Sequence, residues 1–503
     1  MHHASKRYDV IVVGGGNAAF CAAIAAQEGG ANVLMLERAP EAENGGNSRF
    51  TAGAFRFAYR GVDELRTVMP DLSEEEIAVT DFGSYTEENF FDDMFRITKY
   101  RADPDLVELL VGRSFGTMQW LRGLGVRFAP IYGRQAFKVD GRFKFWGGLT
   151  VESVGGGPGL IDSQTRIARA RGITILYETA AKSLIYDGER VSGVRARGPS
   201  GSIEAIAPSV VLACGGFEAN AEMRTRYLGA GWELAKVRGT RFNTGDGIRM
   251  ALEIGASSAG NWSGCHAVGW DRNAPEFGDL RVGDGFQKHS YPFGIMVNAT
   301  GRRFVDEGAD FRNYTYAKYG RVILEQPEQF AWQIFDQKTL KLLRDEYRLR
   351  RVTKVTASTI EELAGKLEGV DAAAFLATIA EYNSSVRTDV AFNPNIKDGR
   401  GTKGLAVPKT NWANTIDTPP FEAYQVTCGI TFTFGGLRID TQGQALDSDL
   451  KPIPGIFAAG ELVGGLFYFN YPGGTGLMSG AVFGRIAGKS AAESVATTNI
   501  AQT

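Results

Sequence analysis

The sequence predicts an α/β fold with more than one domain, and three observations carry this prediction. The chain has 503 residues, more than one ordinary compact domain holds. Its 64 glycines make up about 13% of the chain against a usual ~7%, which is typical of a core with many tight turns. Residues 8–27 have the pattern of a short buried strand, a glycine turn and an alanine-rich helix, the first unit of a parallel sheet.

Composition excludes several classes of protein. Hydrophobic residues at 44% and charged residues at 22% exclude disorder. Because no apolar stretch reaches the ~18 residues that a membrane span needs, we expect a protein that does not cross a membrane. Basic and acidic residues nearly balance, at 55 and 57, which argues against binding nucleic acid through overall charge. The four cysteines include no C-x-x-C pair, so neither an iron–sulfur cluster nor another metal site is predicted.

Histidine is scarce in this sequence. His2 and His3 stand at the very beginning, which leaves His266 and His289 for chemistry.

Residues 6–7 lead directly into the first strand, without the apolar region and cleavage site of a secretory signal. We therefore expect a cytoplasmic protein.

A dinucleotide-binding fingerprint follows the first strand. Gly14 permits a tight turn, Gly16 lets the backbone approach a pyrophosphate, and Ala19 lets the helix pack closely on the strand. The helix N-terminus faces the phosphate charge, and a second strand at 32–36 ends in an acid that can bind a ribose diol. The alternative is a glycine-rich turn without a ligand. The residues expected to contact the dinucleotide here are Gly14, Gly16, Asn17, Ala18, Ala19, Glu37 and Arg38.

Two further segments favour FAD as the dinucleotide. The small residues of 45–53 would let backbone amides reach a second phosphate and the edge of a bulky ring. Near the C-terminus a strand ends in an acid, and residues 471–477 enter a helix whose N-terminus can stabilise negative charge on a reduced flavin. Ordinary strand, turn and helix boundaries are the alternative for both segments. The residues expected to bind FAD are Gly45, Gly46, Asn47, Ser48, Thr51, Ala52, Gly53, Gly460, Glu461, Gly474, Gly476 and Leu477.

Together these segments resemble the flavoprotein family of fumarate reductases, succinate dehydrogenases and 3-ketosteroid dehydrogenases, over nearly the whole chain. The resemblance implies a Rossmann-like FAD-binding domain at 1–261 and 431–503, interrupted by an inserted α+β capping domain at 262–430. The substrate would lie between the two domains. The resemblance adds Ala181, Ala213, Gly215 and Asp246 to the residues expected to bind FAD.

The same resemblance predicts where the electrons go and how FAD is attached. No second strand-linked dinucleotide fingerprint is present, so electrons must be exchanged with another protein or a small acceptor. The family implies a separate, membrane-associated iron–sulfur partner. Residues 47–51 lack the attachment histidine of succinate dehydrogenases, which predicts non-covalent FAD.

The proton-transfer group is assigned by the resemblance. Hydride transfer to a flavin from a carbon beside a carboxylate requires anion clamps, a proton acceptor and dry walls. The resemblance points to Arg312, although one residue more separates it from Glu307 than in fumarate reductases; Tyr314 or Tyr316 is the reserve. Since arginine does not ordinarily lose its proton, Arg312 would be tuned by Glu307 or act as one step of a relay. The alternative is a structural ion pair or a carboxylate clamp.

Other expected substrate contacts depart from fumarate reductases. His266 falls at the place of a substrate-binding histidine, whereas Tyr471 and Phe432 replace an arginine and a histidine that bind dicarboxylates in that family. Simple fumarate or succinate is therefore less expected. Replacement charge for a trianion is available at Arg56, Lys288 and His289, with a solvent-facing position in the cap as the alternative for Lys288 and His289. Tyr314 is also expected to contact the substrate.

Within the family, residues 45–55, 286–319 and 470–477 resemble the tricarballylate dehydrogenases most. The resemblance implies an FAD-dependent dehydrogenase that oxidises tricarballylate, a small polycarboxylate, to cis-aconitate with hydride transfer to flavin N5. Three alternatives stay open at this point. They are an oxidoreductase acting on another acid or an enone, a flavoprotein that carries electrons without its own substrate, and a flavin monooxygenase.

Overall fold

The computed structural model describes residues 7–501, so His2 and His3 lie outside the described residues. The strands are β1 (Val10–Val13), β2 (Val33–Leu36), β3 (Ala54–Phe55), β4 (Thr80–Asp81), β5 (Phe128–Pro130), β6 (Phe137–Val139), β7 (Arg142–Lys144), β8 (Val151–Ser153), β9 (Thr174–Leu176), β10 (Ala180–Tyr186), β11 (Val191–Gly198), β12 (Gly201–Ile206), β13 (Ser209–Leu212), β14 (Lys236–Val237), β15 (Ser258–Asp271), β16 (Ile295–Asn298), β17 (Ala331–Phe335), β18 (Lys354–Ala357), β19 (Phe421–Leu437), β20 (Gln444–Leu446) and β21 (Pro452–Ala458). The helices are α1 (Asn17–Glu28), α2 (Val62–Val68), α3 (Glu74–Ala78), α4 (Glu87–Ile97), α5 (Pro104–Leu124), α6 (Tyr132–Gln135), α7 (Gly156–Ala170), α8 (Ala221–Leu228), α9 (Asp246–Glu253), α10 (Tyr316–Leu324), α11 (Gln337–Leu340), α12 (Ile360–Lys366), α13 (Ala372–Ser385) and α14 (Thr475–Ala501).

The first sheet has six strands in the order β20, β21, β13, β1, β2, β9. Its centre is parallel, with β1 between β2 and β13. Every residue of β1 is buried, as expected for a β-branched strand covered on both faces. This sheet and its helices confirm the predicted Rossmann-like α/β fold.

Helices α1 and α14 pack against each other beside this sheet through residues without bulky side chains. A Cβ atom on Gly484 would lie 2.4 Å from the carbonyl oxygen of Ala18, and one on Gly488 would lie 2.1 Å from that of Ala22. Only glycine permits this approach. The close packing fixes the start of α14 relative to the glycine turn before α1.

The second sheet contains β14, β19, β17 and β16, with β15 and β18 also paired to β19. Its longest pair is antiparallel, between β15 and the 17-residue strand β19. Helices α12 and α13 cover it through an apolar cluster that includes Phe375, Ile379 and Trp332. The predicted domain boundaries at 262 and 430 fall inside β15 and β19, so the division of the chain into domains stays a prediction.

Within residues 7–501 no helix combines the length and the apolar character that crossing a membrane requires.

Candidate active site

Two joined cavities lie at the carboxyl ends of the first sheet and between the two sheets. The first has an empty volume of about 890 Å³ and the second about 1200 Å³. Six residues line both and form what we call the junction. The junction residues are Asn17, Ala18, Asn47, Ser48, Gly460 and Glu461.

The glycine turn after β1 forms one wall of the first cavity. Gly14 has φ +122°, and a Cβ atom there would lie 2.3 Å from the carbonyl oxygen of Ala213, so the turn requires glycine. Helix α1 then begins at Asn17, whose backbone N–H donates to Ser48 Oγ at 3.1 Å. A helix N-terminus at a glycine turn favours phosphate.

Glu37 ends β2 at the rim of the first cavity. It is buried and accepts a hydrogen bond from the backbone N–H of Ala39 at 2.7 Å. Burial raises the pKa of Glu37 to about 7. Beside it, Arg38 pairs with Asp246 at 2.7 Å. An acid in this position can accept hydrogen bonds from a ribose.

The start of α14 lies at the second cavity. Gly474 has φ +85°, and a Cβ atom there would lie 2.2 Å from Leu149. Gly476 and Leu477, in the first turn of α14, also line the cavity. The positive end of the helix dipole therefore faces the space where a flavin ring would stand.

Most residues predicted to bind FAD line these cavities. Three do not: Ala19 is fully buried, a Cβ atom on Gly45 would lie 2.9 Å from the Ile161 side chain, and one on Gly53 would lie 2.1 Å from Ser153 Oγ. They support the walls rather than face the cavity. The predicted residues that do line a cavity are Gly14, Gly16, Asn17, Ala18, Glu37, Arg38, Gly46, Asn47, Ser48, Thr51, Ala52, Ala181, Ala213, Gly215, Asp246, Gly460, Glu461, Gly474, Gly476 and Leu477.

A cationic cluster forms the far wall of the second cavity. Arg134, on α6, makes a bidentate ion pair with Asp284, with both N–O distances at 2.8 Å. Arg238 follows β14 and lies 3.6 Å from the same carboxylate. With Arg312, three guanidinium groups stand against two carboxyl groups, Asp284 and Glu461, among the residues that line this cavity.

Arg312 lies just before α10 and contacts a histidine rather than an acid. Its Nη1 is 3.1 Å from His289 Nδ1, and its Nη2 donates to the backbone oxygen of Arg134. Burial lowers the pKa of Arg312, and the charge of Arg134 adds to this effect while Glu346 opposes it. A lowered pKa makes the proton of this guanidinium easier to transfer.

Glu307 does not reach Arg312, contrary to one of the two routes considered from the sequence. Its carboxylate pairs with Arg303 at 2.6 Å and accepts from the backbone N–H of Met296 at 2.8 Å. Because the Arg303 side chain and Met296 are themselves buried, these contacts hold the Glu307 carboxylate in the protein interior beside the second sheet. Of the two routes, the structure therefore leaves the proton relay, in which His289 is the residue that contacts Arg312.

Aromatic side chains form the remaining wall. Residues His266 and Phe432 are directly opposed in the β15–β19 pair, and their rings are 5.2 Å apart. The hydroxyl of Tyr316 is 2.7 Å from that of Tyr471, and the backbone N–H of Gly474 donates to Tyr471 at 3.1 Å. The long strand pair therefore brings the candidate histidine beside the two tyrosines.

Both cavity histidines are uncharged. Burial lowers the pKa of His266 and of His289 well below the usual range, and neighbouring arginines lower both further. Neither nitrogen of His266 has a hydrogen-bond partner in the described protein, and the same holds for His289 Nε2 and both side-chain polar atoms of Asn313. An unsatisfied buried polar group costs about 1–3 kcal/mol. Their concentration at one cavity marks a ligand-binding site.

Arg56 and Tyr314, predicted to bind substrate, line neither cavity. Arg56 is fully buried, where its Nε donates to the carbonyl of Gly473 at 2.8 Å and its Nη1 lies 3.4 Å from Asp93. The hydroxyl of Tyr314 donates to the same aspartate at 2.6 Å. This differs from the expectation because Asp93, a residue of α4, holds the Tyr314 hydroxyl and one nitrogen of Arg56 away from the cavities.

Lys288 also lies outside the cavities, contrary to expectation. It is fully buried, and its Nζ lies 3.1 to 3.4 Å from four backbone carbonyl oxygens, enough acceptors for its three N–H donors. Burial lowers its pKa to about 8 while Asp271 and Glu346 oppose the change. These carbonyls satisfy the ammonium, so it is not available to a substrate. Its neighbour His289 does line the second cavity.

Sequence reasoning missed several polar residues of the second cavity. Arg134 and Arg238 stand in no recognisable motif, and their partner Asp284 is distant in sequence from both. Only the folded chain brings them together. The missed residues are Arg134, Gln135, Arg238, Asp284, Gln287 and Asn313.

The joined cavities, the glycine turn and the residues at the start of α14 fit FAD, and they define a flavin-dependent oxidoreductase. The chain belongs to the family described as FAD binding domain, whose model matches residues 9–477. It is an FAD-dependent oxidoreductase acting on CH–CH bonds, as its relatives are.

Two curated relatives illustrate the family. The chain is 34% identical to a probable fumarate reductase, Ifc3, of Shewanella frigidimarina, over 97% of this chain and 75% of that protein. It is 30% identical to the NADH:fumarate oxidoreductase of Klebsiella pneumoniae, over 97% of this chain and 48% of that protein. The chain thus spans about half the length of the second relative.

A solved structure supports the same family assignment. The open conformation of a flavocytochrome c3 fumarate reductase superimposes with a TM-score of 0.72 at 30% identity, covering 98% of this chain and 79% of the other. The predicted resemblance to fumarate reductases and 3-ketosteroid dehydrogenases is confirmed at the level of the family.

Proposed function

We propose that this protein oxidises a small polycarboxylate, tricarballylate, to cis-aconitate. The observation that supports the proposal is the cationic wall of the second cavity, where Arg134, Arg238 and Arg312 outnumber the two carboxyl groups that line it, Asp284 and Glu461. Guanidinium groups bind carboxylates in bidentate geometry. A polyanion would balance this excess of positive charge, whereas an uncharged substrate would leave it uncompensated.

The residues of the second cavity divide the work between binding and proton transfer. FAD, when bound, supplies the hydride acceptor. Arg134 and Arg238 bind carboxylates, and Arg312 takes the proton from the carbon next to the one that loses hydride. Because arginine carries its proton at neutral pH, Arg312 must pass one proton to His289 Nδ1 as it accepts another. His289 Nδ1 lies 3.1 Å from Arg312 and can accept this proton as a neutral ring. Burial and the neighbouring arginines lower the pKa of His289, and the negative charge of a bound polyanion would offset this effect.

The proposal includes a separate electron acceptor. No second strand-linked dinucleotide fingerprint is present in the sequence, so the reduced cofactor must pass its electrons to another molecule. We propose a membrane-associated iron–sulfur protein for this role. Mixing the reduced holoprotein with candidate acceptors and following the return of flavin colour tests it, and reoxidation by NAD⁺ alone would contradict it.

Flavin bleaching tests the substrate. Under anaerobic conditions tricarballylate should bleach the oxidised flavin band far faster than succinate, citrate or a 3-ketosteroid. Rapid bleaching by another acid, with none by tricarballylate, would keep the polyanion pocket but change the substrate. No bleaching by any acid, with intact FAD, would contradict the proposal and favour a carrier of electrons.

A second candidate function, oxidation or reduction of an enone, is favoured by the aromatic wall. The paired hydroxyls of Tyr316 and Tyr471 can donate a hydrogen bond to a ketone as well as to a carboxylate. One relative is a 3-oxosteroid 1-dehydrogenase of Mycobacterium tuberculosis, 27% identical over 96% of this chain and 98% of that protein. Bleaching by a 3-ketosteroid in the same experiment would select this candidate.

A further inference from the structure

A second buried carboxyl group stands behind the junction. Glu461 lines both cavities, whereas Glu218 lines neither and has no exposed surface. Glu218 follows β13 and accepts hydrogen bonds through Oε1 only, from Asn47 Nδ2 at 2.6 Å and Asn243 Nδ2 at 2.7 Å. Its Oε2 is buried and receives no donor from the described protein. One amide links the two carboxyl groups, because Asn243 Nδ2 also donates to Glu461 Oε2, at 3.4 Å.

No basic side chain in the described part of the chain forms an ion pair with either carboxyl group. The guanidinium of Arg224 donates to the backbone oxygen of Glu218 and not to its carboxyl group. The other titratable neighbour is the thiol of Cys265 on β15, and burial raises its pKa well above the usual range. Two adjacent buried carboxylates without a cation cannot both be ionised. The pair must therefore hold one proton.

The hydrogen bonds decide which residue carries this proton. Glu461 Oε1 accepts from the backbone N–H of Thr433 at 2.9 Å, and Thr433 Oγ1 is 3.4 Å away. On Glu218 the oxygen without a donor, Oε2, is free to bear the proton and to donate it to Glu461. Burial, followed by the charge of Glu461, raises the pKa of Glu218 well above the usual range.

We propose that Glu218 is a positioning residue that stays protonated and donates to Glu461, which keeps Glu461 anionic at the junction. If FAD spans both cavities, the hydroxyl-bearing chain that joins its two halves would lie at the junction, where Glu461 could hold it. An anionic Glu461 accepts hydrogen bonds from such hydroxyls, whereas a protonated one offers them fewer lone pairs. This role of Glu218 concerns the cofactor alone and is independent of the substrate.

Infrared difference spectra of the holoprotein test the protonation state. At pH 8, above the pKa of about 7 that burial gives Glu37 and Glu152, the parent should retain a carboxylic acid C=O band. Glu218→Gln should lose this band. Glu204→Gln, which changes an exposed carboxylate paired with Arg195, should retain it. A band that persists unchanged in Glu218→Gln would overturn the proposal.

Cofactor retention separates a protonated partner from a merely structural one. Glutamine is the uncharged counterpart of a protonated glutamate, so Glu218→Gln should keep FAD within about threefold of the parent affinity. Glu461→Gln removes the charged acceptor and should weaken FAD binding by about tenfold or more. The measurement is the FAD that remains on the holoprotein after serial dilution and ultrafiltration.

Two results in that measurement would also overturn the proposal. One is loss of FAD from Glu218→Gln as severe as from Glu461→Gln, which would show that a charge on Glu218 is needed. The other is unchanged FAD affinity in Glu461→Gln. Neither result depends on whether tricarballylate is oxidised, because no substrate is used.

Discussion

The hydroxyl of Tyr316 lies 2.7 Å from the hydroxyl of Tyr471. Tyr316 is the first residue of α10, beside the second sheet, and Tyr471 precedes α14, which packs on the first sheet. This hydrogen bond therefore connects the two halves of the second cavity at its aromatic wall. One of the two hydroxyls donates to the other, and the Tyr471 oxygen also accepts from the backbone N–H of Gly474.

Removal of one hydroxyl from this pair should lower activity moderately. Tyr316→Phe leaves the Tyr471 hydroxyl without its neighbour, and a lost hydrogen bond of this kind costs ~1 kcal/mol. We expect kcat/KM for tricarballylate to fall by about fivefold to tenfold while FAD is retained. Tyr186→Phe, a change on β10 far from the cavities, serves as the control. Equal activity of Tyr316→Phe and the control would remove the tyrosine pair from the account.

Arg312 should be needed for proton transfer. Arg312→Ala should retain FAD but slow flavin reduction by ~10²–10⁴-fold, the usual contribution of general acid–base groups. Stopped-flow absorbance of the flavin under anaerobic conditions measures this rate. Arg302→Ala, at an exposed position, is the matched control. If Arg312→Ala reduced flavin within a few-fold of the parent while Tyr316→Phe did not, the proton-transfer role would pass to Tyr316.

Arg238 and Lys288 should behave differently when each is replaced by methionine. Arg238 lines the second cavity, so Arg238→Met should raise the Kd for tricarballylate by about tenfold or more. Lys288→Met removes a buried ammonium from four backbone carbonyls and should lower the Tm without this loss of affinity. Substrate titration measures the Kd of each variant, and thermal unfolding measures its Tm. A larger loss of affinity in Lys288→Met would restore the lysine as a substrate clamp.

The uncharged state of His266 predicts how stability depends on pH. Burial lowers its folded-state pKa well below the usual range, whereas the unfolded imidazole takes up a proton near pH 6.5. Below that pH the unfolded chain binds more protons, so stability falls as the pH falls. His266→Gln should reduce the loss of unfolding free energy between pH 7.5 and 5.5 by about 1.4 kcal/mol. Denaturant unfolding at both pH values measures it, and equal losses in parent and variant would contradict a neutral buried histidine.

FAD should be bound without a covalent link. Residue 47 is an asparagine, and its side chain is held by Glu218 and by the backbone oxygen of Thr431, both at 2.6 Å. An amide held in this way cannot form the bond that the attachment histidine of succinate dehydrogenases makes. Acid precipitation should release all yellow colour into the supernatant. Colour in the protein pellet would show a covalent flavin.

The sequence predicted the cofactor part of the fold better than the substrate part, for a physical reason. The turn at Gly14 and the acid at Glu37 act through local backbone geometry, which neighbouring residues determine. The positions of Lys288 and Arg134 depend instead on distant partners. Four carbonyls, one of them from Glu346, hold Lys288 away from the second cavity, and Asp284 holds Arg134 at its wall. No local pattern distinguishes these two cations.

Single-turnover product analysis tests the central claim most directly. The holoprotein is mixed with excess tricarballylate in the absence of oxygen and of any acceptor, and the acids formed are identified by nuclear magnetic resonance. We expect about one cis-aconitate for each FAD that is bleached, because one hydride and one proton leave the substrate for each flavin reduced. No cis-aconitate, from protein whose FAD is intact, is reduced by dithionite and is reoxidised by ferricyanide, would contradict the assignment of tricarballylate as the substrate.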